Sequence, residues 1–315
     1  MWPFFVFAAP MTGVSSRRED PMMLTSIRRA MAAHFWSKHH EAEDLVSWMH
    51  EPTVRRYINE SVTGSPHCWP MQWLRDRIGR TLDWGLSVGC GLGALERDIL
   101  DKEICRRVVG VDNSEMALAK AEDLARQGGF EGVEYYKGDF NTEFWDRDQR
   151  FDIVFFHQAM HHVEGLETCI AHIADILGPG GLLFLEEYVG PSRADWAEDM
   201  LDEANRVYRA LPAKYRRRKA VQLPVDWRDP SEAVRSAEIM PLVAERFETL
   251  ERRDYGGNLV ALIYPHLALH AMDDAAKEQT LLELIEAERQ LLSAGAPSFY
   301  TLFLGEPRQS SPAPR

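Results

Sequence analysis

The sequence predicts an α/β fold: a mostly parallel sheet with helices on both faces. Two observations carry this. Between residues 84 and 188, apolar runs of strand length alternate with amphipathic stretches of helical spacing, the pattern of a parallel sheet covered on both sides. The first of those runs leads into "GLSVGCGLGALE", residues 85–96, where Gly89, Gly91 and Gly93 hold alternate positions. Glycine at a strand-to-helix turn permits positive φ and lets a ligand touch the main chain. In an open α/β sheet, ligands bind at the carboxyl ends of the strands.

Taken in order, the chain opens with "MWPFFVFAAPM", apolar but without a basic n-region and too short to span a bilayer. Residues 1–22 are expected to be a disordered leader, with Met11, Met22 and Met23 as alternative starts. Residues 23–80 carry helical apolar spacing rich in aromatics (Phe35, Trp36, Trp48, Tyr57, Trp69, Trp73) and are expected to form a helical cap, interrupted by the loop "TGSPHCWP". The main domain follows over 81–305. Its strand candidates are "WGLSV", "RRVVGVD", "VEYYKG", "FDIVFFH" and "LLFLEEY". The helical stretches "SEMALAKAEDLARQG" and "LETCIAHIADILGPGG" both end in glycine, a normal helix stop. Residues 190–230 read as helix and loop around "LPAKYRRRK", whose basic run is expected to be a solvated helix face. A helix is expected at about 231–246, then a sixth strand, "FETLERRDY". Residues 306–315 form a frayed tail.

Composition narrows the function classes. The 315 residues carry a net charge of −13. That balance lacks the basic footprint of a nucleic-acid binder and disfavours an anionic membrane surface. The four cysteines, Cys68, Cys90, Cys105 and Cys169, show no C-x-x-C spacing. They read as reduced thiols of a cytoplasmic protein.

Two nucleotide ligands compete for the glycine loop. Gly89, Gly91 and Ala94 satisfy the dinucleotide fingerprint G-x-G-x-x-A. Asp112, ending the second strand, could accept both hydrogen bonds of a ribose diol, and Asp139, in "KGDF", could accept an adenine amino hydrogen. With "FDIVFFHQAMHHV" and "ILGPGGLLFLEE" after them, these residues resemble the class I S-adenosylmethionine-dependent methyltransferases. The family's G-x-G-x-G loop matches Gly89, Gly91 and Gly93. Its acid after the second strand matches Asp112, its "GD" matches Gly138-Asp139, and its L-x-P-G-G matches Leu177 to Gly181. The resemblance implies S-adenosyl-L-methionine as cofactor, held by Gly89, Cys90, Gly91, Gly93, Asp112, Asn113, Asp139, Phe140 and His157. One departure stands out: the family often has an acid where Ser87 stands, and it helps hold the methionine ammonium. Glu96 is a candidate substitute, but the favoured reading is a solvated helix residue.

The resemblance also implies a Rossmann-like seven-stranded sheet whose last strand is antiparallel. "NLVALIYPHL" and "SFYTLFLGE" compete for it, and the second is chosen. Residues 256–296 then become a helical insertion. Both insertions would leave from carboxyl ends of strands and, with the N-terminal helices, form a lid.

Methyl transfer from a sulfonium is a direct displacement, for which an enzyme supplies alignment and a dry site. A general base is needed only if the nucleophile must lose a proton. The candidates are His157, the first polar residue after the fourth strand, then His161 and Glu187, with His162 and Tyr188 beside them. Glu187 could instead pair with a lid arginine such as Arg193. A metal site needs converging ligands and a second shell; only the histidines are in view, so no metal is expected. The expected partner is a small-molecule acceptor, with a homodimer left open and neither nucleic acid nor membrane involved. A dehydrogenase, a methyltransferase acting on protein or RNA, and a non-catalytic cofactor-binding module are the rival readings.

Overall fold

The computed structural model describes residues 47–142, 145, 148–224 and 229–308. The expected leader, the cap before residue 47 and most of the tail lie outside these residues. Helices α1 (Pro52–Thr63) and α2 (Pro70–Ile78) each start on proline, whose missing N–H costs nothing in a first turn. Each ends on a left-handed glycine, Gly64 and Gly79.

The alternating pattern then unrolls as β1 (Leu82–Val88), α3 (Ala94–Asp101), β2 (Cys105–Asp112), α4 (Glu115–Gln127), β3 (Val133–Lys137), β4 (Phe151–His157), α5 (Leu166–Ile176) and β5 (Leu177–Tyr188). After β5 come α6 (Asp202–Ala210), α7 (Ile239–Arg246), β6 (Phe247–Asp254), α8 (Val260–Ile263), α9 (Asp274–Ser293) and β7 (Tyr300–Pro307). The seven strands form one sheet in the order β3-β2-β1-β4-β5-β7-β6. All neighbours pair in parallel except β7, which runs antiparallel to both β5 and β6. "SFYTLFLGE" supplies that strand, whereas "NLVALIYPHL" is helical over Val260–Ile263 and Tyr264–His266.

Strand β4 shows why the sheet was readable. Ile153 and Phe155 join the core on one face, Val154 and Phe156 the core on the other. A strand covered on both sides reads as a continuous apolar run. The first core also takes in α1, α9 and the residues that follow β5 and β6. The segments after β5 and β6 meet through the Arg216–Leu267 bridge and through Tyr208, whose hydroxyl donates to the His266 carbonyl at 2.8 Å. Helix α1 is tied to α9 by Arg56–Glu278 and Arg289–Glu60.

Three local expectations are corrected. The helix expected at 231–246 begins only at Ile239. Asp229 holds a turn by accepting from the Ser231 amide at 2.8 Å, and Ala233 takes a φ of 49°, which no helix continues. "KYRRRK" is no helix face: a single 3₁₀ turn, Ala213–Tyr215, leads into extended and bent chain. "LGPGG" does not precede β5 but lies within it. Phe151 pairs with Leu177 and Ile153 with Leu182, so the residues between bulge out of register.

Candidate active site

The glycine loop joins β1 to α3 at the carboxyl edge of the sheet. Gly89, Gly91 and Gly93 have φ of 74°, 51° and 72°. The amides of Gly89 and Cys90 both donate to the Val111 carbonyl, at 2.8 and 3.1 Å, which clamps the loop to the end of β2. There Asp112 is buried. Its Oδ2 accepts from the Gly91 amide at 2.9 Å and its Oδ1 from the Ser114 amide at 2.8 Å. One carboxylate thus joins the loop to the first turn of α4, with Asn113 between.

Gly93 has a packing reason of its own. A Cβ there would run into the Tyr135 ring and stand 3.0 Å from the Ala121 Cβ. Gly93→Ala is therefore expected to destabilise the fold by well over about 1 kcal/mol, because collision adds to the strain of a side chain at positive φ. Gly129 has the same φ of 72° but open space around it, so Gly129→Ala should show the strain alone. Urea unfolding of the two variants separates the contributions.

Asp139 and Phe140 follow β3. Asp139 Oδ1 accepts from the Asn141 amide at 2.9 Å, and Phe140 is buried. Cys90 is a buried thiol whose pKa burial drives well above the ordinary value; it is not a thiolate.

Glu96 departs from the solvated reading. It is fully buried, and among the described residues neither carboxylate oxygen meets a hydrogen-bond partner. Burial raises its pKa to about 7, opposed by Ser87 and Arg97, with Asp112 adding to the rise. The missing acid at position 87 is thus matched by a buried one on the adjoining helix.

At the ends of β4 and β5 stand the acceptor-side candidates. His157 is partly exposed, with Nε2 3.5 Å from Glu186 Oε2. Gln158 follows with a φ of 54°, and both its backbone N–H (2.9 Å) and its side-chain Nε2 (3.0 Å) donate to the Glu186 carbonyl. Such a conformation in a non-glycine residue marks stored strain, which concentrates at functional sites. Glu187 is fully buried and pairs not with Arg193 but with His161, at 2.5 Å from its Nδ1. Glu187 also accepts from the amides of Ala159 (2.9 Å), Met160 (2.6 Å) and Tyr188 (2.7 Å). Arg193 instead donates to the Asp229 carbonyl at 3.0 Å. Burial opposes the His161 imidazolium, but Glu187 and Glu232 outweigh it and lift the pKa to about 9. His162 is pushed the other way, by burial and by its charged neighbour.

Sequence reasoning missed three groups here. Glu232 lies 3.8 Å from Nε2 of both His161 and His162, and Asp229 Oδ2 lies 3.7 Å from His162 Nδ1. Arg55 stacks over Trp69 at 5.0 Å, and its charge reaches Glu186 and Tyr255. Tyr57 and Trp48 are core residues; Trp73 lies against the core under Arg253.

The comparisons agree on the family. A family described as "Methyltransferase domain" matches residues 84–246, more than half of the chain. The sterol 24-C-methyltransferase of Eremothecium gossypii is 37% identical over 120 residues, 37% of this chain and 31% of that protein. The sterol 24-C-methyltransferase ERG6 of Saccharomyces cerevisiae is 32% identical over 114 residues, 36% and 29% of the respective chains. The chain therefore spans only about three-tenths of the length of these curated relatives. A solved structure from Galdieria sulphuraria, provisionally assigned as a sarcosine dimethylglycine methyltransferase, shares the fold with a TM-score of 0.50 at 14% identity, over 87% of this chain and 97% of its own. Nothing in these comparisons supports the dinucleotide alternative. With its glycine loop, its acid after β2 and its seven-stranded sheet all inside or continuous with the matched region, the chain belongs to the methyltransferase-domain family.

Proposed function

We propose that the chain transfers the methyl group of S-adenosylmethionine to a small-molecule acceptor. Asp112 carries the reading. Each of its oxygens is fixed by one amide, from Gly91 or Ser114, and keeps a further lone pair for a ribose hydroxyl. Asp139 and Phe140 would receive the adenine. Glu96, buried and without a hydrogen-bond partner among the described residues, suits the methionine ammonium that Ser87 cannot hold. When bound, the cofactor supplies an electrophilic methyl group. The chain's own part is alignment, exclusion of water and control of the acceptor's proton.

His157 is the first choice to orient the acceptor or take its proton. Glu187 already accepts four hydrogen bonds, so its part is to position His161 and the turn after β4 rather than to act as a base. The matched relatives are named for sterols. Here the end of β4 carries His161 and His162 with Glu232 and Asp229 beside them, a polar lining that suits oxygen or nitrogen acceptors. The segments after β5 and β6, tied to each other and to α1, would close over the cleft as a lid. All four cysteines are free, in keeping with a reducing compartment. No helix among the described residues is long and apolar enough to cross a membrane.

Asp112→Ala tests the reading. Loss of buried hydrogen bonds to a charged group costs about 1.5–3 kcal/mol, roughly a ten- to hundredfold loss of S-adenosylmethionine affinity by calorimetry. Unchanged affinity in a folded variant would remove Asp112 from the site.

A further inference from the structure

We infer that His161, His162 and Glu232 form a binding site for a divalent metal ion of the zinc type. The two histidines are consecutive in the one-turn helix Met160–His162, directly after β4, and both are buried. Their rings lie 4.1 Å apart between centroids and present Nε2 to opposite oxygens of the same carboxylate. The three donor atoms lie within 4.8 Å of one another.

The separations across the centre are too long for hydrogen bonds between the rings and Glu232. An N–H···O bond spans about 2.7–3.2 Å. Both Nε2–carboxylate distances are 3.8 Å, too long for that bond on either ring. Ligands bonded at about 2.0–2.2 Å around a tetrahedral ion stand about 3.4 Å apart, so donors that lie within 4.8 Å of one another close on an ion by a contraction of at most about 1.4 Å.

The support behind the ligands is already in place. Metal-binding histidines pass their other ring nitrogen to a carboxylate or similar acceptor, which fixes the ring and its tautomer. His161 Nδ1 lies 2.5 Å from Glu187, which three main-chain amides hold in turn. His162 Nδ1 lies 3.2 Å from the Ser231 hydroxyl, which donates to Asp229 at 2.6 Å. The second Asp229 oxygen is buried without a hydrogen-bond partner among the described residues, 3.7 Å from the same Nδ1. With Nδ1 of each ring committed, Nε2 is the atom turned to the centre, and the ion displaces the proton that His161 otherwise carries there. Glu232 is brought to the centre by the turn at Asp229 and the left-handed Ala233 beside it.

Two imidazoles and one carboxylate favour zinc or a similar first-row ion over magnesium or calcium, which prefer all-oxygen shells. Three protein ligands leave a coordination position open, as in catalytic rather than structural sites. That position would take an oxygen of the acceptor. This last role rests on the methyl-transfer reading; the metal site itself does not.

The test is a titration of the chelator-treated full chain with Zn²⁺ by calorimetry and with Co²⁺ by visible absorption, whose intensity reports low coordination number. One ion should bind per chain. Glu232→Gln and His162→Gln should each weaken binding by more than the roughly 10–100-fold that outer-shell changes cost, and Glu187→Gln should fall within that range. His270→Gln, on an exposed turn, should bind as the parent does. Glu232 is only part-buried, so its variant is expected to stay folded, and either ligand variant decides the question. S-adenosylmethionine affinity of Glu232→Gln should be unchanged, which separates failure of this site from failure of the cofactor reading. Absence of saturable binding by the parent chain, or equal binding by Glu232→Gln, would overturn the assignment.

Discussion

Glu187→Ala is expected to lower the unfolding free energy by about 3–5 kcal/mol, the usual cost of removing one partner from a buried charged pair. The carboxylate is fully buried and ionised. Burial alone would raise its pKa, but His161 and the surrounding donors more than reverse the effect. Truncation strands the amides of Ala159, Met160 and Tyr188 together with the His161 ring. Each buried donor left unpaired costs about 1–3 kcal/mol unless water enters. The damage falls on the turn that follows β4 and on the end of β5, so acceptor turnover should fall as well. Urea unfolding measures the first effect. A loss below about 1 kcal/mol, typical of an ordinary surface change, would mean that the network does not hold the turn.

Glu96→Gln is expected to act in the opposite direction. The glutamate's folded pKa, about 7, lies above its ordinary 4.5, with burial as the main cause. The folded state therefore binds more protons than the unfolded state between these values. Stability carried by the protonated group is complete below pH 4.5 and is lost as pH rises through 7. At pH 8 the ionised, buried group costs on the order of 3 kcal/mol relative to its neutral form. The amide that replaces it never ionises. The variant should match the parent near pH 4 and exceed it in stability at pH 8, measured without cofactor. It should also bind S-adenosylmethionine more weakly, because the ammonium would lose its counter-charge. The groups that act on Glu96 or feel its charge are Ser87, Arg97, Asp112, Cys90 and Tyr135. A stability difference independent of pH would show that Glu96 is ionised or solvated throughout.

What was legible in the sequence follows from which contacts are local. Strands such as Phe151–His157 were readable because both faces are buried, so apolar residues run on without alternation. The glycine loop and Asp112 were readable because a tight turn and the strand end beside it leave a fixed signature in order along the chain. Tyr300–Pro307 was placed by the resemblance, not by periodicity, since Val260–Ile263 is equally apolar. Glu232 and Asp229 were invisible because their meaning depends on a turn that brings them to His161 and His162 from another part of the chain. Glu96 misled for a related reason. A charged residue in a helix's first turn reads as solvated, and only the packing of α3 against the sheet buries it. The helix expected from 231 fell short because apolar spacing cannot reveal the Asp229 turn or the left-handed Ala233.

The central claim is that the loop at Gly89 to Gly93 and the acid at Asp112 hold S-adenosylmethionine. Calorimetric titration of the full chain with S-adenosylmethionine and, separately, with NAD tests it most directly. The account predicts saturable binding of S-adenosylmethionine, weakened roughly ten- to hundredfold by Asp112→Ala, and no saturable binding of NAD. Saturable NAD binding that Asp112→Ala weakens, with S-adenosylmethionine inert, would contradict it.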